Sequence, residues 1–145
     1  MSLKKNIIAL RQKKAIVEKG GGDKALEKQI AMGKMPARVR ILAVLDEGSF
    51  HEYDMFVEHE EKNFGMANKE LPAEGVITGT GTINGAPVCI YAQDFTVMGG
   101  SLGLKHARKI TKIMDHALKM KIPCIGINDS GGARIQEGIG ALAGY

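Results

Sequence analysis

Ile122-Pro-Cys-Ile-Gly-Ile-Asn-Asp-Ser-Gly-Gly-Ala-Arg-Ile-Gln-Glu-Gly138 runs a short apolar strand straight into paired glycines, and a helical pattern opens behind them. That order turns backbone N–H groups out of a loop at a helix start, where an anion or a developing oxyanion can sit. Glycine lets the main chain approach a ligand closely. The expected chemistry is therefore main-chain chemistry. Read alone, Asp129 to Arg134 is equally a structural turn in which Asp129 or Ser130 caps the next helix, with Arg134 on the surface or in an ion pair.

Working outward, Val76 to Ile83 alternates branched residues with threonine and glycine and reads as a strand. Asn84-Gly85 is a two-residue hairpin signal, and Pro87 to Gln93 is the returning strand. Phe95-Thr-Val-Met-Gly-Gly-Ser-Leu-Gly103 is a second glycine-rich turn. A helix to about Met120 follows, with Leu104, Ala107, Ile110, Met114, Ala117 and Leu118 assigned to its buried face. Strand, glycine turn, helix, strand, glycine turn is a βαβ unit with parallel pairing. Both glycine turns then leave the carboxyl ends of neighbouring strands, where open α/β sheets place their ligands.

The first third is helical and basic. Leu3, Ile7, Leu10 and Val17 mark a helix over 3–18, Gly20-Gly21-Gly22 stops it, and Asp23 is placed to cap a second helix to about Met32. Pro36 starts a third, 36–45. Residues 1–40 hold eleven Lys/Arg against three Asp/Glu, whereas the overall charge is only +4. Such an arm suits a polyanion or a phosphate-bearing cofactor; it lacks interleaved aromatics, so nucleic acid is not the expected partner. The division is a helical segment over 1–45 and a βαβ unit over 46–145. The segment 50–74 is irregular, with Phe50, Phe56 and Phe64 as core anchors.

Several chemistries lack their residues. Gly99-Gly100-Ser101-Leu102-Gly103 is not followed by Gly-Lys-Ser/Thr, so it is no P-loop, and Ser130 lacks the glycine that a nucleophile elbow needs before it. Four histidines and two cysteines form no metal-ligand spacing, so no metal is expected, and Cys89 and Cys124 read as buried thiols. No apolar run approaches a membrane span, and the start lacks a signal peptide's apolar core and cleavage site, which makes the cytoplasm the expected location.

The combination is more specific than its parts. Glu27-Lys-Gln, Gly33-Lys34, Ala37-Arg38-x-Arg40, Leu45-Asp-x-Gly-Ser-Phe50, Phe64-Gly-Met66, Gly79-x-Gly81, Gln93-Asp-Phe-Thr-Val-Met-Gly-Gly-Ser101 and Asn128-Asp-Ser-Gly-Gly-Ala-Arg-Ile-Gln-Glu-Gly138 stand in one order across about residues 3 to 145. In these the chain resembles the acyl-CoA carboxyltransferases: propionyl-CoA carboxylase β subunits, methylmalonyl-CoA decarboxylase α subunits and transcarboxylase large subunits. The resemblance implies a crotonase-like α/β fold, here the N-terminal part of a carboxyltransferase domain preceded by helices. It implies transfer of CO₂ between carboxybiotin and the α-carbon of a short acyl-CoA. Biotin would be carried on a separate carrier domain or protein, and the full-length family forms homo-oligomers.

By that resemblance, Gly131 or Gly132 supplies one N–H to the thioester oxygen. Phe95, Gly99, Gly100, Ser101, Ala133 and Arg134 line the acyl and pantetheine side. Lys34 and Arg38 meet the CoA phosphates or hold a subunit interface. Family members are several times longer, and their second donor and biotin-receiving domain correspond to sequence beyond Tyr145. The chain is thus read as an N-terminal part, expected not to catalyse carboxyl transfer alone. The other reading is a non-catalytic fragment that binds acyl-CoA or docks onto a subunit.

Overall fold

A computed structural model describes residues 3–145. Three helices come first: α1 (Leu3–Glu18), α2 (Asp23–Ala31) and α3 (Ala37–Val44). The strands are β1 (His51–Tyr53), β2 (Val76–Ile83), β3 (Ala86–Gln93) and β4 (Cys124–Ile127), with α4 (Leu104–Met120) between the last two. They form one sheet in the order β1-β2-β3-β4. The first two pairings are antiparallel and the last is parallel. The expected hairpin turns at Asn84 and Gly85, both at positive φ (50° and 77°), as a two-residue turn of matching twist requires.

Period-two alternation along β3 divides the core. Val88, Ile90 and Ala92 join Ile77 under α3, where they meet Ala37, Ile41 and Leu45. Cys89 and Tyr91 point to the other face and meet Ile113 and Ala117 of α4. Gln93 continues that second row and so arrives beneath the first turn of α4. Helix, sheet and helix make three layers, with α3 sharing a core with the sheet it precedes. No described helix is long and apolar enough to cross a membrane.

Several local expectations are corrected. Gly22, at φ 89°, occupies the cap of α2; Asp23 is already helical and its carboxylate pairs with Lys19 at 3.0 Å. The α4 face that packs is His106, Ala107, Lys109, Ile110, Ile113 and Ala117, while Met114 and Leu118 are exposed. Two polar side chains joined the buried face because backbone carbonyls of the 72–76 segment receive them. Cys89 is buried but Cys124 is exposed, since β4 lies at the sheet margin; both are free and stand opposite one another in the ladder. Phe50 packs on the core, whereas Phe56 is marginal and Phe64 is 80% exposed. β1 was not foreseen; three residues give too short an alternation to read. The residues after the paired glycines form a tight 3₁₀ run, Ile135–Leu142, not a regular α-helix. Gly138, at φ 54° and ψ −136°, breaks it.

Candidate functional site

β3 and β4 run parallel and end together, so the turns after Gln93 and after Ile127 emerge side by side. The two turns are zipped. Gly131 N–H donates to the Gly99 carbonyl (2.8 Å), Leu102 N–H to the Gly132 carbonyl (2.9 Å), and Arg134 N–H to the Leu102 carbonyl (2.8 Å). A parallel bridge pairs Leu102 with Ala133. The turns can approach this closely because Gly100 has no side chain: a Cβ there would collide with the Asp129 carbonyl. Gly132 sits at φ 111°, a value that side chains disfavour, and its Cα faces open space.

Of the two donors inferred from sequence, Gly131 spends its N–H on the ladder. Gly132 donates to Ser130 Oγ at 3.1 Å, an exposed hydroxyl that rotates away without disturbing the backbone. Gly132 is thus the more available donor. Ala133 lies next to it, exposed, on the same outward run of main chain.

Both ends of the loop are gripped. At its start, the Asp129 carboxylate receives Lys34 Nζ and Arg40 Nη2, each at 2.9 Å. Burial pushes that carboxyl up, but the two cations outweigh it and hold it below the usual carboxylate range. Lys34 Nζ also lies 4.7 Å from the centre of the Phe95 ring, a cation–π distance. At the loop's end, Arg134 is completely enclosed. Its Nη1 donates to Glu74 (2.7 and 3.0 Å) and to Glu137 (2.6 Å), and its Nη2 to the Ser101 carbonyl (3.0 Å). Glu137 in turn accepts the Leu104 N–H at 2.7 Å, at the start of α4.

Phe95, Gly99, Gly100, Ser101, Gly131, Gly132, Ala133 and Arg134 therefore come together, with Lys34 at the loop's mouth. Within that group Arg134 faces inward, as a latch between turns. Arg38 lies elsewhere: Glu52 on β1 takes its guanidinium in a two-pronged pair (2.7 and 3.1 Å). Its neighbour Arg40 reaches the loop instead. Sequence reading also missed Glu74, buried in the 3₁₀ turn Pro72–Gly75 at φ 59°. The remaining signal was an unusual one, a carboxylate among Leu71, Pro72, Ala73 and Gly75.

The fold is the N-terminal part of a crotonase-like carboxyltransferase domain, as the comparisons with known proteins show. The carboxyl transferase domain family matches residues 28–145, and the chain belongs to that family. It is 56% identical over 99% of its length to the methylmalonyl-CoA decarboxylase α subunit of Veillonella parvula. It is 55% identical over 94% to the propionyl-CoA carboxylase β chain of Cereibacter sphaeroides. Among solved structures, transcarboxylase 12S with methylmalonyl-coenzyme A and methylmalonic acid bound superposes over the whole chain with TM-score 0.98 at 44% identity. In each case the chain spans little more than a quarter of the relative: 28%, 27% and 28%.

Proposed function

We propose that this chain builds the acyl-CoA side of a carboxyltransferase site, where CO₂ passes between carboxybiotin and the α-carbon of a short acyl-CoA. Loss of a proton or carboxylate from that carbon moves negative charge onto the thioester oxygen. The observation that carries the reading is the zipped loop, which holds the Gly132 and Ala133 main chain outward at the ends of two parallel strands. A preorganised N–H donor at such an oxygen is worth about 3 kcal/mol in the transition state. Phe95 and the 99–101 turn offer the adjoining wall for acyl and pantetheine atoms. Lys34, 43% exposed, is the cation placed to meet CoA phosphates; Arg40 shares its Asp129 partner, and Arg38 is committed to Glu52.

Biotin enters this proposal as a carboxyl carrier brought by another domain or protein. The chain's own residues serve the acyl-CoA side, where this loop gives the thioester oxygen one of its donors. Calorimetry with propionyl-CoA, methylmalonyl-CoA and free CoA tests the assignment. Acyl-CoA affinity that weakens with salt and with Lys34→Ala supports it. A complete lack of binding by a folded chain would sink it.

A second reading, a docking fragment without catalysis, draws on the exposed Leu118, Ile135, Ile139, Leu142 and Tyr145. It predicts association without acyl-CoA affinity. Transcarboxylase 12S is described as a hexamer assembly; assembly of this chain with further copies belongs to the same proposal.

A further inference from the structure

We propose that Glu74, His106 and Gln93 form a positioning relay that fixes both ends of the Asp129–Arg134 loop, residue 74 acting at each end. The inference rests on the reading of that loop as the thioester site. At one end the Glu74 carboxylate holds Arg134 directly. At the other, the Glu74 carbonyl accepts from His106 Nδ1 (2.9 Å), and His106 Nε2 meets Gln93 Nε2 (3.2 Å). Gln93 Oε1 then accepts the Asp129 N–H (3.2 Å). The loop's two ends thus converge on one residue, which lies 60 positions before Arg134 in the chain.

Every proton in the relay is dictated by its termini. A backbone carbonyl only accepts, so His106 must carry its hydrogen on Nδ1. A backbone N–H only donates, so the Gln93 oxygen must face Asp129 and its NH₂ must face His106. The imidazole Nε2 is then a bare lone pair, as the neutral ring provides. Reversing any one link leaves two donors or two acceptors face to face in a buried place.

The surroundings keep His106 neutral. The ring is fully buried, and burial pushes its pKa down to about 4. Arg134 from the loop and Lys109 from the same helix add repulsion, against the Glu74 carbonyl's favourable bond. A proton on Nε2 would turn the Gln93 amide over and present its NH₂ to the Asp129 N–H, releasing the loop's first residue. None of the three side chains touches substrate in this scheme. They act through the main chain of the loop.

Nitrogen-15 NMR of the chain tests the relay without any ligand. The expected result is a His106 ring in the Nδ1–H form from pH 6 to 8. Gln93→Leu, which removes both contacts, should speed exchange of the Asp129 amide at least tenfold and weaken acyl-CoA binding about tenfold. Gln93→Glu keeps an acceptor for Asp129 but sets a carboxylate against His106. It should hold acyl-CoA affinity within threefold of wild type while raising the His106 titration midpoint by more than one unit. An Nε2–H ring in the wild type, or an unchanged Asp129 amide in a folded Gln93→Leu, overturns the relay. If Gln93→Leu does not fold, the wild-type ring and the Gln93→Glu midpoint decide it. A wild type with the expected ring and no acyl-CoA affinity refutes the functional reading and leaves the relay standing.

Discussion

Arg134 shows how far one side chain's role can depend on residues remote in sequence. Its guanidinium is enclosed by Glu74, Glu137 and Ser101, so truncation strands two carboxylates. Arg134→Ala should cost about 3–5 kcal/mol in urea denaturation, the usual penalty for breaking a buried pair. Gly100→Ala works through geometry instead. Its methyl meets the Asp129 carbonyl, so the two turns must part, and acyl-CoA affinity should fall more steeply than thermal stability. The paired glycines at 131–132 were legible because strand, glycine pair and following pattern lie together in sequence. The latch was not. Glu74 is 60 positions from Arg134, inside a stretch with no periodicity, and ion pairs leave no trace in a pattern of apolar residues.

At the scale of elements, α4 is the instructive case. Its length and half of its apolar face (Ala107, Ile110 and Ala117) followed from 3.6-residue spacing, yet its orientation is shared by His106 and Lys109. Lys109 Nζ bonds the Ala73 and Val76 carbonyls on either side of the turn that carries Glu74. Burial lowers its pKa to about 8. Lys109→Met should therefore destabilise by about 2 kcal/mol, through carbonyls left unpaired. His106 predicts a pH dependence. Its folded pKa of about 4 lies below the 6.5 of the unfolded chain, so the unfolded state takes up protons first as pH falls. The stability contributed above pH 6.5 is lost between 6.5 and 4, by about 2 kcal/mol between pH 7 and 5. Denaturation of wild type and His106→Asn at both pH values isolates it, because the variant should lose that part of the slope.

For the whole molecule, the sequence reading recovered the hairpin, the βαβ connection and the meeting of two glycine turns, but not the packing of α3 on the sheet. It did so because a hairpin signal, a helix and a second strand allow few topologies. It did not recover which surfaces stay open. Leu3, Ile8, Leu10 and Ile16 on α1 are exposed, as are Leu118, Ile135, Ile139, Leu142 and Tyr145. Exposed apolar groups in such number are of the kind that contact surfaces carry. Sedimentation should show concentration-dependent association at tens of micromolar, unaffected by moderate salt. A chain monomeric throughout would contradict that expectation.

The parallel join of β3 to β4 also carries a clock. The β2–β3 hairpin closes across two residues, Asn84 and Gly85. The Ser101–Arg134 contact spans 33 positions, with α4 and β4 in between. Distant contacts pay their loop-closure entropy before any reward, so they form late. Pulsed hydrogen labelling during refolding should protect the amides of β2 and β3 ahead of Gly131 and Arg134. The 129–134 loop is then expected to take its shape after the hairpin, and protection of its amides reports that later step.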